Sequence, residues 1–198
     1  MSTFVGQKSP GFTSVAVMPD NSIDAEFNLE SMARNRYCML MFYPLDFTFV
    51  CPSELVSLNR NLEEFNKRNC LVASVSVDSH FTHLAWKNTP LKDGGISNVQ
   101  FPMISDLKKE ISSLYGVLNS DGVSVRGTFI IDKDFVLRHI LINDLPIGRN
   151  LHESLRIIDA IEHHSKHGEV CPANWTKGDE AMSPTSSGVK VYMDKHLG

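Results

Sequence analysis

Apolar runs and alternating polar segments along this chain predict its strands. Residues 37–43 form a continuous apolar run and residues 71–77 read as a second buried strand, a pattern typical of strands covered on both faces. A shorter strand is predicted near residues 101–104. Residues 128–132 and 135–142 flank a two-residue polar turn, so they predict a β-hairpin.

Apolar residues at three- and four-residue spacing predict helices between these strands. The predicted helices carry Leu55, Leu58, Leu62 and Phe65; Phe81 to Trp86; Leu107, Ile111 and Leu114; and Leu151, Leu155, Ile158 and Ile161. Strands that alternate with helices, with a hairpin late in the order, predict an α/β fold with a central mixed β-sheet flanked by helices. From about Ser165 the sequence turns polar, so we expect an extended C-terminal tail. The predicted division is a domain over residues 1–164 and an arm over residues 165–198.

Composition and charge exclude several classes of function. The chain has 198 residues, of which 42% are hydrophobic, which is enough for one domain with a substantial core. A net charge of -4 and the lack of a basic run argue against nucleic-acid binding. The sequence contains no 18-residue apolar run, no apolar leader and no glycine-rich nucleotide motif. We therefore expect a cytoplasmic protein without a membrane span or a cofactor.

The four cysteines divide into two kinds. Without a secretory leader they are expected to be reduced thiols. Cys51 and Cys171 each occur in a Val-Cys-Pro tripeptide, and because proline lacks an N–H donor and restricts the preceding residue, both sulfurs are expected at element edges. There a thiol can be reached, so the sequence predicts thiol chemistry. Cys38 lies within an apolar strand and Cys70 opens another, so both are expected to be packing residues.

Cys51 is the candidate nucleophile. Proline suits the first helical position, so the residue before it is expected at or near the N-cap of a helix. A helix N-terminus favours an anion, which matters because a free cysteine with a pKa of about 8.5 is mostly protonated at neutral pH. Thr48 can direct its hydroxyl to the sulfur or to a bound oxygen. Pro44, Phe47 and Phe49 are expected to keep out bulk water and bulky substrates, but this segment supplies no full positive charge.

The segment Pro44-Leu-Asp-Phe-Thr-Phe-Val-Cys51-Pro-Ser-Glu54 resembles the peroxidatic-cysteine motif of the peroxiredoxins, in which a proline, a threonine and the cysteine stand at this spacing. Val125-Arg-Gly-Thr-Phe-Ile-Ile-Asp132 is similar to the family's arginine-bearing strand. Residues 143–149 and 168–173 are similar to further family segments. The likeness runs in matching order from about Val5 to Lys195. It implies a thioredoxin-like fold with the peroxiredoxin insertions.

The resemblance implies a mechanism for peroxide reduction. The Cys51 thiolate would attack the terminal oxygen of a hydroperoxide and become a sulfenic acid. Arg126, as the missing cation, and Thr48 would hold the peroxide and stabilise charge on the breaking O–O bond. Glu54 and Arg149 would orient Arg126 from behind. Other thiol enzymes fit less well. Ser57 stands where a phosphatase loop needs arginine, and no Cys-x-x-Cys motif occurs.

The resemblance also implies how the sulfenic acid is resolved. Cys171 resembles the resolving cysteine of the typical two-cysteine subgroup, which condenses with Cys51 of a partner subunit. Thioredoxin or a thioredoxin-like protein would then reduce the disulfide. The expected assembly is a homodimer with head-to-tail sites, associating further into a decameric ring of dimers. Residues 1–164 would be the thioredoxin-like peroxidase domain, and residues 165–198 the arm with the resolving cysteine.

Two segments depart from the pattern of peroxide-sensitive family members. Cys51 is expected at the start of a helix, so its first turn would have to unwind before the Cys51 and Cys171 sulfurs can meet. The sensitive members carry Gly-Gly-Leu-Gly in a loop and Tyr-Phe in the C-terminal helix, which together slow this unwinding. This chain reads Gly94-Gly95-Ile96-Ser97 and Val191-Tyr192-Met193-Asp194 at these places. The substitutions favour an intermediate sensitivity to over-oxidation.

Several alternatives stay open on sequence alone. A cysteine hydrolase needs a histidine base, and none of the eight histidines can be excluded by position, although a hydrolase would not explain Cys171. A peroxide sensor that passes oxidation to a partner and a holdase chaperone are the non-enzymatic alternatives. His163, His164 and His167 stand close to Cys171 and could in principle bind zinc, but they are read as a solvated helix end, with no metal expected. His80 and His83 are interpreted as capping or flanking a short helix.

Overall fold

A computed structural model describes residues 5–97 and 99–197, and these residues fall into two compact units. The first unit runs to Leu151 and the second begins at His152. Within the described residues, no helix is both long enough and apolar enough to cross a membrane.

A mixed β-sheet forms the centre of the first unit. Its described strands are β1 (Thr13–Val17), β2 (Ile23–Asn28), β3 (Tyr37–Phe42), β4 (Cys70–Ser76), β5 (Met103–Ser105), β6 (Arg126–Ile131) and β7 (Leu137–Asn143). Their order across the sheet is β2-β1-β5-β4-β3-β6-β7. The pairs β3–β4 and β4–β5 are parallel and the other pairs are antiparallel. The predicted central mixed sheet is therefore confirmed.

Helices flank this sheet within the first unit, and further helices form much of the second unit. Their bounds are α1 (Leu29–Met32), α2 (Cys51–Arg60), α3 (Leu62–Lys67), α4 (His80–Asn88), α5 (Glu110–Leu114), α6 (Leu151–His167) and α7 (Ser186–Leu197). A 3-10 turn, Leu91–Asp93, follows α4. The helix predicted over Leu55 to Phe65 is broken at Asn61 into α2 and α3. Leu107, expected on a helix, is exposed and precedes α5.

The apolar runs lie where the sequence predicts. Every residue of β3 and β4 is buried, because both strands are central in the sheet. The hairpin is β6–β7, which pairs Arg126 with Asn143 at its open end. β6 is also antiparallel to β3, so the N-terminal end of β6 lies at the edge of the sheet where β3 ends. The loop that leaves β3 and leads into α2 starts at this edge, which positions the candidate site.

The second unit contains α6 from His152 onward, an irregular segment and α7. A bridge between Val170 and Met182 closes the irregular segment into a loop, and Trp175 is buried within this part of the chain. The polar composition after residue 165 predicts an extended tail, whereas the structure contains the helix α7 there. Val191 and Met193 on α7 are exposed, so this helix has no clear apolar stripe from which it could be predicted.

Candidate active site

Cys51 is the first residue of α2 and is fully buried. The N-cap is Val50, one residue earlier than the sequence suggests, and Pro52 follows within the first turn. Valine has no side-chain oxygen to cap the helix, so no N-cap side chain competes with the sulfur for the N–H groups of the first turn. The partial positive charge of the helix end is therefore directed at the sulfur.

The hydroxyl of Thr48 lies beside this sulfur, as predicted. Its Oγ1 is 3.0 Å from Cys51 Sγ and 2.8 Å from the carbonyl oxygen of Leu45. One hydroxyl proton can serve only one of these acceptors at a time. Because a thiolate has no proton of its own, the Thr48 hydroxyl can turn its proton from Leu45 to the sulfur when Cys51 ionises.

Arg126 supplies the positive charge that the local segment lacks. Its Nη1 is 3.4 Å from Cys51 Sγ, and the residue is buried at the start of β6. The Nε atom donates to the carbonyl oxygen of Leu145 at 2.7 Å, which fixes the plane of the guanidinium. A buried cation at this distance favours the thiolate form of a cysteine.

Glu54 joins Arg126 to Arg149. Its Oε2 accepts hydrogen bonds from Arg126 Nη1 and Arg149 Nη2, each at 2.8 Å, while its Oε1 accepts from Arg149 Nε at 2.9 Å. Arg149 also donates through Nη1 to the carbonyl oxygens of Phe42 and Gly127, both at 2.8 Å. All three charged side chains are buried. Two guanidinium groups thus share one carboxylate, and a Cys51 thiolate would neutralise the remaining positive charge.

The residues expected to shield Cys51 differ in their positions. Pro44 is buried. Phe47 is half exposed and packs on Trp86, with a ring-centroid distance of 5.8 Å. Phe49 is 96% exposed, so the expectation that its ring excludes water from the sulfur is wrong. Alternating side chains of a short loop point in different directions, and the sequence does not tell which of them face the core.

A buried polar network lies behind this loop and was not predicted from the sequence. Asp46 Oδ1 accepts a hydrogen bond from the Tyr43 hydroxyl at 2.6 Å, and its Oδ2 is 2.7 Å from His83 Nδ1. The backbone N–H of Asp46 donates to Asp78 Oδ2 at 2.9 Å. Burial raises the pKa of the Asp46 carboxyl, although His83 opposes the shift. The network fixes the loop between β3 and α2 at its midpoint.

His83 lies inside α4 and is fully buried, so its interpretation as a capping or flanking residue is wrong. Its Nε2 is 3.2 Å from the carbonyl oxygen of Ile104. Trp86 and Lys87 are the other buried residues of α4 and stand three and four positions after His83. This helical spacing was the signal in the sequence that could have placed His83 on the buried face.

Cys171 lies in the second unit, in the irregular segment after α6. Its Sγ is 3.7 Å from the carbonyl oxygen of Ala160, and the residue is partly exposed. Burial raises the pKa of the Cys171 thiol, while the nearby Arg156 guanidinium lowers it. Cys171 is therefore an accessible thiol at the edge of an element, as the Val-Cys-Pro tripeptide predicts.

The other two cysteines are packing residues, as predicted. Cys38 and Cys70 are both buried in strands of the central sheet. Burial raises the pKa of the Cys70 thiol to about 12 and that of Cys38 well above its usual range. Neither thiol ionises near neutral pH, so neither is a useful nucleophile.

The histidines at the end of α6 make contacts with their own unit. His163 Nε2 is 2.8 Å from Glu169 Oε2, and the His163 ring packs on those of His167 and Trp175. His164 Nδ1 is 2.7 Å from the carbonyl oxygen of Glu169. In the described part of the chain, no three histidine, cysteine or acidic side chains stand close enough to hold a metal ion.

Fold and site together define a class of protein. A buried cysteine at a helix N-terminus, with a guanidinium and a hydroxyl directed at its sulfur, belongs to enzymes that use a cysteine thiolate as nucleophile. No histidine within hydrogen-bonding distance of Cys51 is found among the described residues, which disfavours a cysteine hydrolase with a histidine base.

The chain belongs to the AhpC/TSA family, whose model matches residues 5–140. A second model, the C-terminal domain of 1-Cys peroxiredoxin, matches residues 160–195. Alkyl hydroperoxide reductase C of Buchnera aphidicola subsp. Acyrthosiphon pisum is 44% identical over 97% of this chain and 98% of that protein. Peroxiredoxin-1 of Gekko japonicus is 48% identical over 98% of this chain and 96% of that protein.

A solved structure extends this likeness to three dimensions. The reduced 2-Cys peroxiredoxin of Plasmodium vivax is 50% identical and has a TM-score of 0.94, over 97% of this chain and 99% of that chain. The thioredoxin-like fold and the peroxiredoxin family expected from the sequence are therefore confirmed. The chain is a thiol-dependent peroxidase, and proteins of its family form dimers and higher oligomers.

Proposed function

We propose that Cys51 is the peroxidatic cysteine, and the charge count of the buried site carries this proposal. Arg126 and Arg149 bring two positive charges and Glu54 one negative charge, so a thiolate at Cys51 completes the balance. The thiolate attacks the terminal oxygen of hydrogen peroxide or an alkyl hydroperoxide. An S–O bond forms, the O–O bond breaks, and the leaving oxygen takes up a proton as water or alcohol. Cys51 becomes a sulfenic acid.

The neighbours of the sulfur have distinct roles in this step. Arg126 and Thr48, at 3.4 and 3.0 Å from Cys51 Sγ, bind the peroxide oxygens and stabilise negative charge on the leaving oxygen. Glu54 and Arg149 hold the Arg126 guanidinium in the orientation that this needs. Pro44 lies buried at the start of the loop and restricts the site to small substrates.

Cys171 acts as the resolving cysteine in the proposed cycle. It condenses with the Cys51 sulfenic acid of a partner subunit, and thioredoxin or a thioredoxin-like protein reduces the resulting disulfide. The partly exposed thiol of Cys171 supports this role, since the other non-peroxidatic cysteines are buried. The proposed assembly is a homodimer that associates into a decameric ring. Residues 1–164 form the peroxidase domain of this proposal and residues 165–198 the resolving arm.

A reducing compartment fits the proposed cycle. All four cysteines are free thiols, and a structural disulfide is not needed to hold either unit together. We therefore assign the protein to the cytoplasm, where a thioredoxin system can regenerate it. No cofactor takes part in the cycle, because the oxidising equivalent comes from the peroxide and the reducing equivalents come from thiols.

One equivalent of hydrogen peroxide tests the proposal. The reduced protein is oxidised, its thiols are blocked, and it is run on a non-reducing denaturing gel. We expect a band at twice the mass of the monomer that dithiothreitol reverses. Cys51→Ser and Cys171→Ser should each abolish this band, while the matched control Cys70→Ser should keep it. A monomeric band without oxidation of Cys51 would refute the peroxidase assignment, and suppression of aggregation by Cys51→Ser would favour a chaperone.

A further inference from the structure

Residues on one face of α6 form hydrogen bonds with the segment that carries Cys171. Arg156, Ala160 and His163 stand at positions i, i+4 and i+7, which places them on the same side of the helix. Each of them contacts residues 169–175, and Cys171 lies between the outer two contacts. The arrangement fixes the cysteine at three points within its own unit.

Arg156 forms the contact beyond Cys171. Its Nη1 donates to the carbonyl oxygen of Trp175 at 2.9 Å. The other side of the guanidinium forms a fork with Glu153, with distances of 2.6 Å from Nε and 2.7 Å from Nη2. A bidentate pair of this kind holds the guanidinium plane in one orientation. Arg156 therefore meets the Trp175 carbonyl from a preorganised position.

His163 forms the contact before Cys171. Its Nε2 is 2.8 Å from Glu169 Oε2, and its ring packs on Trp175 with a centroid distance of 5.1 Å. His163 thus contacts residues on both sides of Cys171 in the sequence, Glu169 and Trp175. The pairing also places an imidazole against the carboxylate of Glu169, the negative group nearest in sequence to Cys171.

The groups around Cys171 have opposite effects on the ionisation of its thiol. A thiol can donate to the Ala160 carbonyl oxygen 3.7 Å away, whereas a thiolate meets the negative end of the same carbonyl. Burial and Glu169 raise the pKa of Cys171, and the positive charge of Arg156 lowers it. The carboxylate of Glu169 is in turn hydrogen-bonded to His163. Arg156 is the cation in this set that stabilises the ionised sulfur.

We propose that Arg156 is a positioning residue for the second step of the reaction, in which Cys171 attacks the Cys51 sulfenic acid. It anchors the segment that carries Cys171 to α6, and its positive charge favours the thiolate that attacks. The inference rests on the proposed role of Cys171 as the resolving cysteine. In the step, the Cys171 thiolate sulfur bonds to the Cys51 sulfur and the S–O bond breaks. The hydroxide that leaves takes up the proton lost by Cys171, so the products are a disulfide and water.

Single-turnover kinetics of three variants test this inference. Arg156→Met keeps the length of the side chain but removes its charge and hydrogen bonds, and Arg156→Lys restores the charge. Lys166→Met is the matched control, since Lys166 is also a cation of α6 in an ion pair, with Glu162 at 3.0 Å. Reduced protein is mixed with one equivalent of hydrogen peroxide, quenched at intervals from pH 6 to pH 9, and scored for sulfenic acid and disulfide.

We expect Arg156→Met to consume peroxide at the wild-type rate but to form the disulfide roughly fivefold more slowly at neutral pH. The deficit should shrink at alkaline pH, where Cys171 ionises without help, and Arg156→Lys should recover part of the rate. Lys166→Met should match the wild type. A deficit of equal size at every pH, or no deficit at all, would overturn the inference.

The same experiment separates this inference from the proposed function. If the wild-type protein forms sulfenic acid but no disulfide with Cys171, the assignment of the resolving cysteine fails. If the wild type forms the disulfide and Arg156→Met forms it equally fast, the assignment stands and the role of Arg156 is refuted. Circular dichroism of each variant checks that the fold is retained.

Discussion

Glu54 Oε2 lies 2.8 Å from Arg126 Nη1, and the same guanidinium nitrogen lies 3.4 Å from the Cys51 sulfur. The carboxylate therefore holds the orientation of the Arg126 guanidinium without itself forming a hydrogen bond to the sulfur. Glu54 accepts from Arg149 as well, so it is the centre of the buried charge cluster. Replacing the Glu54 carboxylate should therefore disturb the orientation of Arg126 while leaving the positive charge of Arg126 in place.

Glu54→Gln is expected to slow the reaction with hydrogen peroxide at least tenfold. The neutral amide leaves the two guanidinium groups with only the Cys51 thiolate as a counter-charge, and loss of one partner of a buried ion pair costs about 3–5 kcal/mol of unfolding free energy. The extra positive charge still favours the thiolate, so alkylation of Cys51 by iodoacetamide should remain fast. Stopped-flow peroxide kinetics and alkylation rates measure the two effects. Glu63→Gln, at an exposed helix position, is the control. Equal losses in both rates would contradict the positioning role.

Thr48→Val tests the hydroxyl at 3.0 Å from the sulfur. Valine has nearly the same shape, so the change removes one hydrogen-bond donor with little change in volume. Loss of a donor that stabilises developing charge lowers a rate about 10²- to 10³-fold, and we expect a fall of that order in kcat/KM for peroxide. Thr48→Ser should restore most of the activity. If valine reacts as fast as threonine, the hydroxyl takes no part in peroxide activation.

The central part of the fold could be predicted because its residues have one environment. β3 is buried on both faces, so its apolar run is continuous and easy to recognise. β2 has no continuous apolar run, since it lies at the edge of the sheet and three of its six residues are exposed. α7 likewise lacks an apolar stripe. Edge strands and exposed helices are stabilised by contacts that local patterns do not record.

The candidate site could be predicted only in part for the same reason. The positions of Thr48 and Cys51 follow from a single loop and the helix after it. The approach of Arg126 depends on β6 lying next to β3, and strand order is not written in local periodicity. The resemblance to a known family supplied that link. The burial of His83 was missed because its partner Asp46 lies 37 positions away in the sequence, so only the helical spacing to Trp86 and Lys87 indicated that His83 faces the core.

Lys87 should make the free energy of unfolding increase with pH in the alkaline range. The residue is 1% exposed, and its Nζ donates to the carbonyl oxygen of Met18 at 2.6 Å. Burial lowers the pKa of Lys87 from 10.5 to about 8, and Asp20 opposes the shift. Between these two values the unfolded chain keeps a proton that the folded chain has lost. The free energy of unfolding should therefore gain a contribution from Lys87 as the pH rises through this window.

Urea denaturation of the reduced protein at pH 7, 9 and 10 measures this contribution. Lys87→Met removes the titrating group, so the difference in stability between wild type and variant should shift in favour of the wild type as the pH rises. Lys92→Met, an exposed lysine of the turn after α4, is the control and should leave the pH dependence unchanged. A constant difference between wild type and Lys87→Met across the range would show that Lys87 stays charged in the folded state.

The loop Gly94-Gly95-Ile96-Ser97 contains one residue in a strained conformation. Ser97 has a φ of 44°, in the left-handed region where a serine is disfavoured by about 1–2 kcal/mol and glycine is not. Its Oγ accepts a hydrogen bond from the backbone N–H of Leu91 at 3.1 Å, which partly offsets the strain. Gly95, by contrast, cannot be replaced by a residue with a side chain, because a Cβ there would lie 1.9 Å from the carbonyl oxygen of Thr89. The strain thus lies at the position where sensitive family members carry their last glycine.

Ser97→Gly combined with Met193→Phe should therefore raise the yield of sulfinic acid per turnover. The glycine relieves the strained turn and the phenylalanine restores the ring of the sensitive pattern, so the folded site persists longer and the Cys51 sulfenic acid meets a second peroxide more often. Intact mass after repeated turnover with hydrogen peroxide measures the yield. Ser97→Ala is the matched control, because it loses the hydroxyl but keeps the strain, and it should not raise the yield. If the wild type already forms as much sulfinic acid as the double variant, its sensitivity is not intermediate, and the strain at Ser97 has no influence on how long the sulfenic acid survives.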